Sequence, residues 1–188
     1  MSAGHSESTA VHSVHFYGSD EALMQRLRTV AVSAINTGNS ILAIAIEAHR
    51  LKLSSTIKEQ GFDLAGLGRE RRVVLCDSHD VLSRVMVGRF PDRQVFNHFV
   101  GELITKARQA AWNAHRGLTV LCETVSVLWE DGNREGALMM EGLWNDLLAR
   151  QSFQLHCAYP QSIFSSEEDL SRVKDICEHH SHVIGQAA

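Results

Sequence analysis

The sequence lacks the features of membrane, secreted and nucleic-acid-binding proteins. Its apolar runs are far shorter than the roughly 20 residues that a membrane-spanning helix needs. Residues 1–10 contain neither the basic nor the apolar region of a signal peptide. The net charge is −4 and the pI about 6.2, so no basic field is available to nucleic acid or anionic lipid. We therefore expect a cytoplasmic protein with neither membrane nor nucleic acid among its direct partners.

Proline and cysteine are scarce, and each scarcity excludes a class of structure. The two prolines and the lack of a linker-like segment indicate a single domain over residues 11–185, after a disordered tail at residues 1–10. The four cysteines are widely separated and form no C-x-x-C pair, so neither a zinc cluster nor a disulfide framework is indicated. Those inside predicted strands are interpreted as small apolar fillers of a reduced protein.

Two catalytic motifs are missing as well. A nucleotide-binding loop, G-x-x-x-x-G-K-[ST], does not follow the first predicted strand, where Gly18, Ser19, Asp20 and Glu21 stand instead. The two carboxylates would repel a triphosphate, so ATP hydrolysis is not expected. The nucleophile motif G-x-S-x-G is also absent, and we assign no catalytic residue.

Short apolar runs alternate with amphipathic segments along the chain. The runs at 40–46, 73–76 and 119–122 are apolar on both faces, which is typical of interior strands in a parallel sheet. The pattern predicts an α/β three-layer sandwich with a mostly parallel central sheet. The predicted strands are 11–17, 40–46, 73–76, 119–122 and 153–159. The predicted helices are about 20–36, 48–60, 80–87, 91–117, 134–150 and 166–180.

Several boundaries are predicted in detail. Ser78 is a candidate cap for the helix that follows it, and Pro91 stands where the first residue of the next helix would be. Residues 61–68 are expected to form a loop or short turn. Ser165 and Glu168 have the spacing of a capping box for the last helix. The residues expected to face inward on that helix are Leu170, Val173 and Cys177.

Glu123 is the strongest candidate for a functional residue. It directly follows the strand at 119–122, at the end of the sheet where open α/β folds bind ligands. Burial of an unpaired carboxylate is costly, so function is favoured over structure here. On the next helix Glu141 and Asn145 lie one turn apart at the border of the apolar side. The alternative for these two is a hydrogen-bonded pair that fixes the helix on the sheet.

Residues that follow parallel strands should converge at one edge of the sheet. The predicted pocket for a small ligand is lined by Tyr17, His49, Glu123, Glu141, Asn145 and Tyr159. Three histidines are added as ligand-binding candidates, namely His12, His180 and His182.

Eleven histidines invite a metal hypothesis. His12 and His15 are three residues apart on a strand, so their rings point to opposite faces. A second group near the C-terminus comprises His179, His180 and His182. Metal sites need ligands from separate elements, which a sequence does not show. We therefore predict no metal and no other cofactor, with the histidines packed or exposed.

Six segments recur in order and register in one known family. They are HSVHFY (12–17), AIEAHR (45–50), ETVSVLWEDGN (123–133), EGLWNDLL (141–148), CAYP (157–160) and ICEHHSHVI (176–184). Over roughly residues 11–185 the chain resembles the MEDS domain, the sensory domain of methanogen and methylotroph regulators of the DcmR type. The family pattern falls on His12, Tyr17, His49, Glu123, Trp129, Asn133, Glu141, Trp144, Asn145, Tyr159, His180 and His182. The chain departs from it at Cys122 and Thr124, where Gly and Met are common, and at His15, a Gln-like position.

The resemblance implies a RecA/KaiC-type fold that has lost its nucleotide loop. It also implies a non-catalytic sensory role, with output to a transcription regulator or a histidine kinase pathway through a signalling partner. A competing hypothesis is a hydrolase-like enzyme that uses Glu123 with a histidine, with or without a metal. A third is a purely structural interaction module. Self-association into a homo-oligomer is left open.

Overall fold

The computed structural model describes residues 10–112 and 117–185, with a β-sheet of six strands at its centre. The strands in chain order are β1 (Val11–Tyr17), β2 (Ser40–Ala45), β3 (Val73–Asp77), β4 (Met86–Val87), β5 (Phe90–Pro91), β6 (Leu118–Cys122), β7 (Gln154–Pro160) and β8 (His182–Ile184). The sheet has the order β3-β2-β6-β7-β1-β8, and all of its strand pairs are parallel. Strand β3 lies at an edge and is mostly half-buried, so the prediction of an interior strand at 73–76 was wrong. Strands β4 and β5 form a separate antiparallel hairpin.

Helices cover both faces of this sheet. In chain order they are α1 (Asp20–Asn36), α2 (Glu47–Glu59), α3 (Leu64–Arg69), α4 (Ser78–Val85), α5 (Arg93–Gln109), α6 (Thr124–Glu130), α7 (Arg134–Leu148) and α8 (Glu167–Glu178). Helices α1 to α3 pack on one side, called the α1–α3 face, and α4 to α8 on the other, called the α4–α8 face. The predicted three-layer α/β sandwich is confirmed.

The central strands alternate between two hydrophobic cores. In β2 every residue is buried, with Leu42 and Ile44 in the core of the α4–α8 face and Ile41 and Ala43 in that of the α1–α3 face. This is the reason for the apolar run from Ile41 to Ala45, because burial on both sides of a strand disfavours polar side chains.

The connection from β1 to α1 consists of Gly18 and Ser19. Ser19 caps α1, because its hydroxyl accepts the N–H of Ala22 at 3.2 Å. Two residues leave no room for a loop that wraps a triphosphate. Within the described residues, none of the helices combines the length and the apolar content needed to cross a membrane.

Several predicted boundaries were wrong between β3 and α5. Asp77, not Ser78, caps α4, since its carboxylate accepts the N–H groups of His79 and Asp80. The helix ends at Val85, because the next residues enter the β4–β5 hairpin. Pro91 belongs to that hairpin, Asp92 caps α5, and α5 ends at Gln109 rather than near 117. The predicted loop at 61–68 contains the short helix α3, and helix α6 was not predicted.

The last helix also differs from its prediction. The capping box is formed by Ser166 and Asp169, one residue later than Ser165 and Glu168. The segment Ser-Ser-Glu-Glu-Asp offers both boxes, and the burial of Asp169 decides between them. Helix α8 ends at Glu178 rather than His180, and the short strand β8 follows. Leu170, predicted to face inward, is 46% exposed, while Val173 and Cys177 pack against the core.

The predicted disordered tail at residues 1–10 falls, apart from residue 10, outside the described part of the chain.

Candidate functional site

The structure divides the predicted site residues into two groups on opposite faces of the sheet. Tyr17 lies in the core of the α1–α3 face, while Tyr159 lies in the core of the α4–α8 face. The division follows from the alternation of side chains along each strand. The Glu123 cluster comprises Tyr17, Asp20, His49 and Glu123. The Glu141 cluster comprises His12, Glu141, Cys157, Tyr159 and His180, with Asn145 at its border.

A buried ion pair forms the centre of the Glu123 cluster. Glu123 follows the last residue of β6, and its backbone N–H continues the sheet by donating to Ile44 O at 2.9 Å. One carboxylate oxygen of Glu123, Oε2, accepts the backbone N–H of Ile46 at 2.8 Å. The other, Oε1, accepts Nδ1–H of His49 in the first turn of α2 at 2.6 Å. Glu123 thereby joins the ends of two adjacent strands to a helix.

The outer nitrogen of His49 is the most informative atom of this cluster. Nε2 is buried and has no hydrogen-bond partner among the described residues. It lies 3.5 Å from Oδ1 of Asp20, whose side chain is 60% exposed at the start of α1. The ring of Tyr17 contacts the imidazole edge-on, with 6.5 Å between the ring centres. His49 therefore points a ring nitrogen towards Asp20, the exposed member of the cluster.

The charges of this edge alter the acidity of its members. The hydrogen bond to Glu123 raises the pKa of His49; burial opposes this, and Asp20 adds to it. The pKa of Tyr17 is raised, first by burial and then by the charge of Glu123. Glu130, at the end of α6, has a raised pKa because it is partly desolvated and lies near Asp131 and Glu123. The carboxylates of Asp20, Glu123 and Glu130 all act on or near the His49 ring.

A cleft of about 560 Å³ lies between α4, α6 and the β4–β5 hairpin, on the α4–α8 face of the sheet. Its size is within the range of small-molecule sites. The charge of His79, which lines the cleft, and that of His49 both act on the Glu130 carboxyl group. The cleft is lined by His79, Leu82, Ser83, Met86, Gly88, Arg89, Leu128, Asp131 and Asn133.

The Glu141 cluster is enclosed between β1, β7 and α7. Glu141 is fully buried, and its Oε1 accepts the hydroxyl of Tyr159 at 2.8 Å. Its Oε2 lies 3.3 Å from Nε2 of His12 and 3.5 Å from Nε2 of His180. The thiol of Cys157 donates to the same oxygen at 3.5 Å. Donor atoms from the two histidines, Glu141 and Cys157 all lie within 4.8 Å of one another, so these four residues could hold a metal ion.

Burial dominates the acidity of this cluster. It raises the pKa of Cys157 and of Tyr159, and the negative charge of Glu141 adds to both effects. For Glu141 burial acts to raise the pKa, but His180, His12 and the Tyr159 hydroxyl outweigh it and lower the pKa. Burial lowers the pKa of His180, which favours the neutral form of its ring. The hydrogen bond from the Tyr159 hydroxyl stabilises the ionised form of Glu141 whatever the charge of His180.

The sequence as a whole matches one family. The sequence model of the family described as "MEthanogen/methylotroph, DcmR Sensory domain", or MEDS, matches residues 11–181. The chain belongs to the MEDS family. Comparisons with curated proteins and with solved structures give no significant match. Because MEDS is a family of sensory domains, a sensory or regulatory role follows for this chain.

Two members of the clusters in this MEDS domain were missed by the sequence analysis. Cys157 was interpreted as a filler, although it lies two residues before Tyr159 and so on the same face of β7. Asp20 was considered only for its repulsion of phosphate. His182, in contrast, was included but belongs to neither cluster: it is exposed on β8 and contacts the hydroxyl of Ser181.

The two clusters of the MEDS domain differ in what they can do chemically. The Glu123 cluster holds a hydrogen-bonded acid–base pair with one free ring nitrogen beside an exposed carboxylate. Such a pair can donate a hydrogen bond to a ligand or transfer a proton. The Glu141 cluster is closed to solvent and holds imidazole, carboxylate and thiol groups, which are metal ligands rather than a substrate pocket.

Proposed function

We propose that residues 11–185 form a sensory domain that binds a small ligand at the carboxyl edge of the sheet and passes the bound state to a signalling protein in the cytoplasm. The observation that carries the proposal is the buried Nε2 of His49, which meets no hydrogen-bond criterion within the described residues and has only the exposed carboxylate of Asp20, at 3.5 Å, beside it. A buried polar atom without a partner costs free energy, and a ligand that accepts its hydrogen bond recovers that cost.

The surroundings of His49 indicate the kind of ligand. The raised pKa favours the imidazolium form, in which Nε2 carries a proton and needs an acceptor. Asp20 and Glu130 place negative charge nearby and disfavour a multiply charged anion. The cleft on the α4–α8 face offers the apolar side chains of Leu82, Met86 and Leu128. We therefore propose a small, largely apolar molecule with one polar acceptor group.

A route for the signal starts at Asp20. This residue lies 3.5 Å from His49 Nε2 and begins α1, so a ligand between the two side chains would also contact a helix on the surface of the α1–α3 face. A transcription regulator or a histidine kinase pathway would receive the change, as the resemblance to regulator domains implies. Size-exclusion chromatography with light scattering, with and without ligand, tests whether self-association is the readout.

An enzyme is the second candidate, and the 2.6 Å bond between His49 and Glu123 is the observation that favours it. Both functions need the pair, so the experiment must separate binding from turnover. A library of small, largely apolar alcohols and ketones is screened by thermal shift, and each hit is then incubated with the protein and analysed for product. Binding without product supports the sensor. Steady product formation that is lost in Glu123→Gln contradicts it and establishes the enzyme.

Matched variants locate the ligand. Glu123→Gln and His49→Gln are expected to lose the thermal shift, while Glu135→Gln, on the exposed first turn of α7, keeps it. Ser83→Trp fills the cleft from the exposed side of α4 and should abolish binding of the larger hits. Ser171→Trp is its control, because both serines are exposed on helices and donate to the carbonyl three residues earlier. Retention of binding by both Glu123→Gln and Ser83→Trp would place the ligand elsewhere.

A further inference from the structure

We infer that the Glu141 cluster is a metal site, in which His12, Glu141, Cys157 and His180 bind one divalent transition-metal ion, with Zn²⁺ as the best fit. The four side chains come from β1, α7, β7 and the segment after α8. They lie on the face of the sheet opposite the Glu123 cluster, so the inference does not depend on the proposed ligand site. The sequence predicted no metal because the four residues are separated by up to 168 positions and only the fold brings them together.

The donor atoms already have the spacing of a tetrahedral site. Bonds of about 2.0–2.3 Å at tetrahedral angles put neighbouring donors about 3.3–3.6 Å apart. Nε2 of His12 lies 3.3 Å from Cys157 Sγ and 3.3 Å from Glu141 Oε2. Glu141 Oε2 lies 3.5 Å from Cys157 Sγ and 3.5 Å from His180 Nε2. The remaining two pairs lie within 4.8 Å, so a small movement of the His180 ring completes the site.

The tautomer of each histidine suits a metal ligand. His12 donates Nδ1–H to Asn145 Oδ1 at 2.9 Å, and the Asn145 amide is oriented by its own donation to His179 O at 2.9 Å. His180 donates Nδ1–H to Ile176 O at 2.7 Å. In the neutral form of each ring, Nε2 then carries a lone pair directed into the cluster. Metal-binding histidines are held in this way by a carbonyl or carboxylate on the other ring nitrogen.

The other two ligands are prepared in the same manner. Tyr159 occupies Oε1 of Glu141 and leaves Oε2 at the centre of the cluster. Cys157 is fully buried beside it, and a metal would displace the thiol proton.

An independent observation supports a cation at this cluster. Nε2 of His180 is buried and has no hydrogen-bond partner among the described residues, although it is aimed at Glu141. This ring nitrogen meets a buried thiol and a buried carboxylate oxygen in an apolar layer. The three groups do not carry enough protons to satisfy one another by hydrogen bonds, which is unfavourable. One divalent cation would satisfy the three together with His12.

The donor set determines the class of ion and its role. One thiolate, two imidazoles and one carboxylate in a tetrahedral arrangement favour Zn²⁺ over Mg²⁺ or Ca²⁺, which prefer oxygen ligands. All four positions are taken by the protein, so no position is open for a substrate water. The ion would instead tie the segment that contains His180, between α8 and β8, to the sheet.

The experiment uses untagged, full-length protein. After treatment with a chelator the protein is titrated with Co²⁺ under reducing conditions, and zinc content is measured before treatment and after reloading. We expect one equivalent of zinc, and for Co²⁺ the visible bands of a tetrahedral site with a thiolate-to-metal charge-transfer band. Absence of both signals in folded wild-type protein would overturn the inference, whatever the variants do.

Variants assign the ligands. Cys157→Ser should remove the charge-transfer band and weaken Zn²⁺ binding about 100-fold or more, whereas Cys177→Ser, half-buried on α8, should change neither. His180→Ala should weaken binding to a similar degree, and the exposed His182→Ala should not. Circular dichroism checks that each variant is folded. Equal loss of binding in Cys157→Ser and Cys177→Ser, or no loss in Cys157→Ser and His180→Ala, would contradict this ligand set.

Discussion

Trp129 donates its indole N–H to the carboxylate of Asp169 over 3.0 Å, between residues that are 40 positions apart in the chain. Trp129 belongs to α6, which begins directly after Glu123, and Asp169 belongs to α8, which ends two residues before His180. The same carboxylate accepts from Arg134 at the start of α7 and completes the capping box with Ser166. The bond therefore joins the element next to one cluster to the element next to the other.

Asp169→Ala is the sharpest test of this junction. The Asp169 carboxylate is buried, and its contact with Arg134 lowers its pKa, so removal leaves an indole N–H and a partly buried guanidinium without their partner. We expect a loss of about 2–4 kcal/mol in the free energy of unfolding, measured by urea denaturation. The control is Asp175→Ala on the exposed side of α8, which should change stability by less than about 0.5 kcal/mol. Equal effects would show that Asp169 acts only as a surface charge.

The pH dependence of stability should report on His49. Its pKa in the folded protein is raised above the ordinary 6.5, with Glu123 as the main cause. A raised folded pKa stabilises the protein fully below the unfolded pKa, and the contribution is lost as the pH rises through the folded value. The groups that face this ring are Glu123, Asp20, Tyr17 and Glu130.

We therefore expect the stability difference between wild type and His49→Gln to be largest near pH 6 and to decrease as the pH rises through the folded pKa. Urea denaturation at a series of pH values measures it. The control is His98→Gln, whose side chain is 80% exposed, and it should change stability by less than about 0.5 kcal/mol at each pH. A difference that grows with pH would show that His49 is held neutral.

The association of Glu123 with His49 could be predicted because it depends on topology alone. Both residues follow the ends of strands, and parallel strands deliver such residues to one edge whatever the register. Tyr17 joins them for the same reason. The Glu141 cluster could not be assigned in this way. A sequence shows which residues of a strand share a face, but it does not show which face of one strand corresponds to which face of another until the register is known.

The start of α8 shows how tertiary contacts decide between equal local signals. Ser165 with Glu168 and Ser166 with Asp169 are both capping boxes by spacing. Only the second places an acidic residue against Trp129 and Arg134, and those contacts select it. The same choice rotates the helix so that Ile176 is buried and Leu170 is exposed. Strand β8 was missed because it has three residues and no apolar run.

Gly142→Ala should stabilise the protein. Gly142 lies inside α7, and a Cβ built on it has no heavy atom within 4 Å apart from its chain neighbours and the backbone of its own helix. Alanine is a better helix former than glycine by about 1 kcal/mol, so we expect a gain of about 0.5–1 kcal/mol by urea denaturation. Gly185→Ala should instead destabilise the protein, because Gly185 has φ +80° and an added Cβ would meet the carbonyl of Phe16. A loss of stability in Gly142→Ala would mean that α7 packs more tightly than the structure shows.

The two tyrosines of the chain form a matched pair for the last prediction. Tyr159→Phe removes the hydroxyl that donates to Glu141 Oε1 at 2.8 Å and leaves a buried carboxylate oxygen without its donor. We expect a loss of about 1–3 kcal/mol in the free energy of unfolding of metal-free protein. Tyr17→Phe, also buried, should cost less, because Tyr17 meets His49 through its ring.

The same pair can be tested by titration at alkaline pH. In Tyr17→Phe, ultraviolet absorbance reports the ionisation of Tyr159 alone. We expect Tyr159 to stay protonated until the protein unfolds, because burial and the charge of Glu141 raise its pKa. Glu141→Gln removes that charge, so burial alone should keep Tyr159 protonated. In the Glu141→Gln background, Tyr159→Phe should then cost less free energy of unfolding than it does in the wild type. If Tyr159→Phe cost as much in the Glu141→Gln background as in wild type, the hydrogen bond to the carboxylate would not be the source of its contribution.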